Sequence, residues 1–438
     1  MQKKDIRSTN SPRALALFLL QKAEAAGQFS NIALDKALES SSLSSPDRRL
    51  ASVLFYGVTE RRITLDYRIS ALSSRPLADI DGQTLNILRL GLYQLMFTDR
   101  IPPHAAINET VSLCPRKTSG FVNGILRTHT RTPATMLPNV IDEPIRYLSV
   151  KYSVGEPLCK KFTDTFGIER TERIFSAFEE SVSTTLRVNT LKILPEDLAT
   201  KIEGAESTRI SPYGLKVRGA VREMYGFDEG LFFVQDEASQ ICVEALDAKE
   251  GMTVLDICAC PGSKSFGAAI NMKNNGKIHS FDLHEKKLSL ITAGAKRLGI
   301  DIINVKEQDG RKFLPQLENL SDRVLCDVPC SGFGVLAKKP ELRYKDPKLS
   351  ETLPDIQAAI LDNACKYVKV GGTLVYSTCT VFPEENELNV KRFLASHPEF
   401  TLTPFCVGEL SVPSGYITLM PDEYPTDGFF IAKMTKRK

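Results

Sequence analysis

Two cysteines stand where a thiol could act as a nucleophile. Cys330 follows a proline in VLCDVPCSGFGVL, and Cys379 follows a threonine in TLVYSTCTVFPEEN. A thiolate is the strongest protein nucleophile near neutral pH, and its usual pKa of about 8.5 falls beside cations and helix N-termini. One cysteine in a strand is ordinarily small core filling. Two delivered just past the ends of neighbouring strands favour chemistry. Eight of the ten cysteines fall between Cys242 and Cys406, and none forms a CxxC pair, so zinc-ribbon and thioredoxin spacings are both missing. We therefore expect reduced thiols and no metal site.

The elements that must position these thiols are legible as a rhythm. From Phe232 onward, strand-like runs (TVLDICA, KIHSFDL, IINVKEQD, RVLCDVP, GTLVYSTC) alternate with helix-compatible segments, which is the pattern of a doubly wound α/β parallel sheet. Upstream the chain reads differently. Leu85, Leu88, Leu92 and Leu95 form an apolar stripe at helical spacing, and SSPDRRLASVLFYGV predicts a helix capped by Ser45 with Pro46 in its first turn. Pro133, Pro138 and Pro144 punctuate a linker, and 145–235 mixes helical segments with TTLRVNTLKI and SPYGLKVRG, a small α+β module. The 438 residues, at roughly 150 per domain, thus divide into an all-α bundle (1–140), a linker with the small module (141–235) and an α/β domain (236–438).

Composition excludes other classes. Hydrophobic residues are 42% and charged residues 25%, ordinary globular values, which excludes a chain dominated by disorder. No run approaches the ~20 apolar residues of a membrane helix, and no cleavable leader is recognisable, so a cytoplasmic protein without a membrane partner is expected. The net charge of +3 hides an asymmetry: residues 1–140 carry 18 Lys+Arg against 11 Asp+Glu (+7), and the remaining 298 carry 38 against 42 (−4). A cationic N-terminal part favours a polyanion such as RNA, unless the surplus is only solvated surface.

Ligands of a doubly wound sheet sit beyond the carboxyl ends of its strands. The first such strand leads into DICACPGSKSFGAA, where Pro261 and Gly262 make a tight turn whose following amides can approach a ligand. It is neither GxGxxG nor a Walker loop. The second strand ends at Asp282, 20 residues after Gly262, where a carboxylate can accept hydrogen bonds from a ribose diol. The third leads to Asp309, placed to meet an adenine amino group. Either aspartate could instead be a helix cap. A thiol beside an adenosine-bearing cofactor suits one reaction well. Carbon 5 of cytosine is too weak a nucleophile to be methylated directly, but thiolate addition at carbon 6 makes it an enamine, and an acid such as Asp327 can bond the ring edge meanwhile.

The segments LDICACPGSKS, DVPCSGFGVL, YSTCTVFPEENE and DGFFIAKM resemble the RNA cytosine-5 methyltransferases of the Nop2/Sun type, which use S-adenosylmethionine. LFYGVTERRITLD, LNILRLGLYQLMF, RIPPHAAINETV and SGFVNGILR resemble the NusB-related helical domain of that family's bacterial 16S ribosomal RNA members, and RVN and FVQDEASQ are similar too. The resemblance implies an all-α NusB-like bundle, an RRM-like α+β module and a Rossmann-like class I methyltransferase domain. It implies Cys379 as nucleophile, Cys330 as the thiol assisting product release, and Asp327 in catalysis. It also implies that Cys258, Ala259, Cys260, Pro261, Gly262, Ser263, Lys264, Asp282, Asp309 and Asp327 line the cofactor site, in a monomer acting on 16S ribosomal RNA. In DNA cytosine methyltransferases the Pro-Cys thiol attacks instead.

Lys264 could bring charge to the cofactor carboxylate or to the reacting ring, or be a solvated helix-start lysine. The family's usual CAAPGGK becomes CACPGSK here, with Cys260 for alanine and Ser263 for glycine. If the latter site needs a positive φ, serine is strained there by roughly 1 kcal/mol, which would weaken cofactor binding. AKKPELRYK, after the Pro-Cys loop, offers cations and an aromatic for phosphate contact and base stacking, or is a solvated basic loop. Two rival readings remain: an RNA-binding ribosome-assembly or antitermination factor with a degenerate methyltransferase domain, and a DNA methyltransferase.

Overall fold

The computed structural model describes residues 11–26, 37–38, 40–180 and 183–437. The chain forms two compact units, the first Met1–Glu172 with Lys339–Asp346, the second Arg173–Lys338 with Pro347–Lys438.

The first unit is helical: α1 (Pro12–Ala26), α2 (Ser45–Glu60), α3 (Arg62–Leu72), α4 (Gly82–Phe97), α5 (Pro103–Val111), α6 (Ser119–His129), α7 (Pro144–Tyr152) and α8 (Glu156–Phe166), with α9 (Ile168–Glu180) crossing its boundary. The leucine stripe does what its spacing predicts. Leu88 and Leu92 of α4 are fully buried, Leu85 and Leu95 flank them half-buried, and Leu15, Leu54, Leu65 and Leu126 close the core. The cap of α2 is shifted by one residue: Ser44, not Ser45, accepts the Asp47 amide, while Pro46 sits in the first turn as expected.

The segment Lys339–Asp346 belongs to this helical unit, which corrects the expectation that its arginine and tyrosine meet nucleic acid. Arg343 is 1% exposed and donates from Nη1 to Tyr152 O at 2.7 Å, with Nη2 3.3 Å from Glu60 Oε1. Tyr344 Oη donates to Thr59 O at 2.6 Å and accepts the Arg62 amide at 3.1 Å, and the Arg62 guanidinium stacks 3.9 Å from its ring centre. Both side chains are committed inside the protein.

The second unit starts with four antiparallel strands, β1 (Thr184–Val188), β2 (Glu206–Ser207), β3 (Gly214–Val217) and β4 (Phe232–Val234), in the order β2-β3-β1-β4. One short helix, α10 (Pro195–Ala199), joins β1 to β2, and a 3-10 turn at Val221–Glu223 stands between β3 and β4. That order is the RRM-like one.

The main sheet holds β5 (Thr253–Asp256), β6 (Lys277–Asp282), β7 (Ile303–Glu307), β8 (Ser321–Asp327) and β9 (Val368–Thr378), all parallel. β10 (Phe400–Leu402), β13 (Tyr416–Leu419) and β14 (Phe429–Lys436) form an antiparallel extension, and β11 (Phe405–Val407) and β12 (Leu410–Val412) pair separately. The order β10-β14-β9-β8-β5-β6-β7 reverses direction at β5, so a crevice opens past the ends of β5 and β8. Alternating residues feed two cores. Val254, Leu325 and Val375 face α11 (Glu237–Leu246), α12 (Ser263–Asn271) and α13 (Glu285–Leu298), whereas Leu255, Val324 and Leu374 face α14 (Leu353–Ala364) and α15 (Glu387–Ser396). Among the described residues no helix is long and apolar enough to cross a membrane.

Candidate active site

The loop after β5 is built by backbone bonds. Ala259 N–H donates to Phe281 O at 2.7 Å, Cys260 N–H to Asp282 Oδ2 at 3.2 Å, and Gly262 N–H to Ala259 O at 2.6 Å. Cys260–Pro261 is a cis bond. Gly262 takes φ +109°, which a side chain rarely adopts, and an added Cβ would lie 2.6 Å from the Phe266 ring. Ser263, which begins α12, is not among the residues with positive φ. The strain expected of serine at this position is therefore not present; the left-handed residue is its neighbour. Ser265, two residues on, donates to Asp256 Oδ2 at 2.6 Å and meets Ser280 Oγ at 2.8 Å, pinning α12 to the sheet.

Lys264 is no solvated surface lysine. It is buried in the first turn of α12, its Nζ lies 2.6 Å from Asp327 Oδ2 at the end of β8, and it sits 5.0 Å from the Phe429 ring centre. Burial alone would lower the lysine's pKa. The charge and hydrogen bond of Asp327, together with Cys242 and Cys379, outweigh burial and raise it. Asp327 Oδ1 accepts from Ser377 Oγ at 2.9 Å.

Three residues beyond Asp327 comes Cys330, whose sulfur lies 3.0 Å from that of Cys379, and the Cys379 amide donates to Cys330 Sγ at 3.2 Å. The contact with Cys379, followed by burial, pushes the Cys330 thiol well up.

The cofactor-loop cysteines differ from this pair. Burial and then the charge of Asp282 push Cys260 up to about 12. Burial pushes Cys258 up as well, aided by Asp256, Asp327, Asp282 and Asp309 in that order, so four carboxylates converge electrostatically on Cys258. Asp282 spans the loop, accepting from Cys260 N–H and His284 N–H. Asp309 follows β7 with its carboxylate held by Arg311 at 2.8 Å, and that pairing keeps its pKa low. The structure thus gathers the Cys258–Lys264 loop, Asp282, Asp327, Cys330 and Cys379 at one crevice. Asp309 stands at its edge, engaged by an exposed arginine. Among the described residues no group of three or more His, Cys, Asp or Glu could hold a metal.

Sequence reasoning missed Ser377, Phe429 and Glu385. Ser377 and Phe429 lie inside quoted motifs as ordinary strand residues. Glu385 lies six residues beyond Cys379 in the PEEN run, and its short distance from a candidate nucleophile was the available signal.

Comparison with known proteins agrees with this architecture. The model of the 16S rRNA methyltransferase RsmB/F family matches residues 243–435, and that of the NusB family matches residues 10–131. The chain is 36% identical over 446 residues to a probable ribosomal RNA small subunit methyltransferase B of Bacillus subtilis, covering 98% of this chain and 99% of that protein. It is 33% identical over 414 residues to the ribosomal RNA small subunit methyltransferase B of Klebsiella pneumoniae, covering 90% and 92%. The solved structure of PH0851 superposes with a TM-score of 0.79 at 28% identity, over 98% of this chain and 100% of that one. With a NusB domain ahead of the methyltransferase sheet and relatives matched along nearly its whole length, the chain belongs to the ribosomal RNA small subunit methyltransferase B family.

Proposed function

We propose that this protein methylates carbon 5 of a cytosine in 16S ribosomal RNA, using S-adenosylmethionine and a covalent cysteine adduct. The observation that carries this reading is the 3.0 Å approach of the Cys330 and Cys379 sulfurs beside the Lys264–Asp327 pair. S-adenosylmethionine supplies an electrophilic methyl group on a positively charged sulfur. The acceptors at the site suit such a ligand: Asp282, at the end of β6, and Asp309, after β7, offer carboxylate oxygens to hydroxyl and amino groups. The Cys258–Lys264 loop would hold it.

In this reading Cys379 is the nucleophile that adds to carbon 6 of the cytosine. Asp327 accepts a hydrogen bond from the ring edge, and Lys264 holds positive charge beside the ring as it gains electrons. Cys330, in contact with the leaving sulfur, assists release once a base has taken the carbon 5 proton and the electrons of that bond have expelled the Cys379 thiolate. The Thr-Cys rather than the Pro-Cys thiol attacks, which separates this reading from a DNA methyltransferase. The target base must leave its stack to reach Cys379, so the NusB-like part (1–140, net +7) and the small module (141–235) act as RNA holders for the catalytic part (236–438), in a cytoplasmic monomer.

The test is transfer of labelled methyl from S-adenosylmethionine to small-subunit ribosomal RNA, followed by nucleoside analysis. Label in 5-methylcytosine is expected. Label in another nucleoside, or RNA binding with no transfer, would overturn the reading, and the latter would favour the assembly-factor rival.

A further inference from the structure

The two sulfurs come from separate loops, and their 3.0 Å approach has to be maintained by something other than the sheet. Val328 N–H still bonds to Ser377 O at 3.1 Å, but the ladder between β8 and β9 ends there, before either cysteine. Beyond it Gly334 N–H donates to Cys379 O at 3.0 Å, and a buried carboxylate adds a side-chain tie. Glu385, 5% exposed on the Cys379 loop, reaches across and accepts the Ser331 N–H at 2.9 Å, on the residue directly after Cys330. The same oxygen accepts Gln357 Nε2 at 2.8 Å, and that Nε2 also bonds Pro329 O at 3.0 Å, directly before Cys330. A second tie runs between the loops: Ser331 Oγ donates to Thr380 Oγ1, next to Cys379, at 2.9 Å.

The Cys330 backbone is thus held on both sides from the Cys379 loop and from α14. Without Glu385, the Ser331 amide would lose its carboxylate acceptor and Gln357 Nε2 would keep only Pro329 O, a cost that favours moving the loop.

We propose that Glu385, with the Ser331–Thr380 pair, is a positioning clamp that sets the Cys330–Cys379 sulfur separation and thereby the release of methylated RNA. The second half of the statement rests on the function proposed above; the first does not. Glu385 touches no reacting atom and acts through the backbone of Cys330.

Sulfur proximity can be read without RNA or cofactor by adding hydrogen peroxide. One thiolate attacks the peroxide, the O–O bond breaks and water leaves, giving a sulfenic acid. The second sulfur then attacks the first, the S–O bond breaks and a second water leaves. Two thiols are oxidised to one disulfide as one peroxide is reduced to two waters. Peptide mass analysis measures the Cys330–Cys379 link.

We expect Glu385→Leu to slow this link at least about tenfold and to leave methylated RNA bound as a denaturant-resistant adduct. Glu385→Gln retains an acceptor oxygen and should restore both readouts to near the native level. A folded Glu385→Leu protein that links and releases at the native rate would overturn the clamp. If that variant does not fold, Thr380→Val severs the second tie with little change in shape, and native rates in both readouts would overturn it equally. A native protein that links its thiols but methylates no cytosine would sink the proposed function and leave the clamp standing.

Discussion

Lys264 Nζ and Asp327 Oδ2 stand 2.6 Å apart, joining the first turn of α12 to the end of β8 across the point where the strand order reverses. The pair links the cofactor loop to the loop that carries Cys330. Removing one partner of a buried pair leaves the other's charge without compensation. Lys264→Met should therefore cost about 3 kcal/mol in denaturant unfolding. A raised lysine pKa means that its stabilisation is fully present below the usual value of about 10.4 and fades only as pH rises through the higher folded value. The cost should accordingly be constant from about pH 6 to 9.

The two thiols should fail in different ways. Cys379→Ala is expected to reduce methyl transfer to background, a fall on the order of 10⁴-fold or more. Cys330→Ala should still form the adduct and retain RNA through a denaturing gel. Full turnover by Cys379→Ala would reverse the assignment.

Burial pushes Asp256 up to about 7, partly offset by its hydrogen bond from Ser265. A carboxyl raised from an unfolded value of about 4 stabilises the fold below that value, and the contribution is lost as pH rises through about 7. Asp256→Asn keeps an acceptor for Ser265 but removes the titration. Its stability relative to the native protein should rise by a few kcal/mol between about pH 4 and 8 and then level off. Melting curves across that range measure it.

Gly262→Ala forces a Cβ onto a left-handed residue and to 2.6 Å from the Phe266 ring. It should cost about 1–2 kcal/mol in stability and weaken S-adenosylhomocysteine binding by about tenfold or more, measured by calorimetry.

Arg343→Ala removes the guanidinium that joins Tyr152 O and Glu60. We expect a loss of about 3 kcal/mol in the helical unit, read from its unfolding transition, with the peroxide link between Cys330 and Cys379 unchanged.

Much of this was legible because strand rhythm and loop chemistry are local. TVLDICA, KIHSFDL, IINVKEQD, RVLCDVP and GTLVYSTC each become a parallel strand of the main sheet, and Cys330 and Cys379 emerge from adjacent ones. The antiparallel β14 is masked by DGFFIAKM, which reads as a motif before it reads as a strand, and β10 and β13 are only three and four residues long. The burial of Arg343 and Tyr344 was not readable at all. Their partners Glu60 and Thr59 lie 283 and 285 residues away, and nothing local distinguishes a cation that meets phosphate from one enclosed by helices. Glu385 offered only its place six residues beyond Cys379, because a buried carboxylate that grips an amide has no signature of residue type.

The placement of Lys339–Asp346 bears on how the protein is made. Emerging from a ribosome, residues 1–172 lack the piece that gives Arg62 its stacking partner and fills the place beside Glu60 and Tyr152. Synthesis must pass Asp346 before the helical half is whole, by which time β5 to β8 already exist as chain. The N-terminal part is therefore first in sequence but not the first to be finished, and a fragment ending at residue 172 would carry a wound where Arg343 and Tyr344 belong.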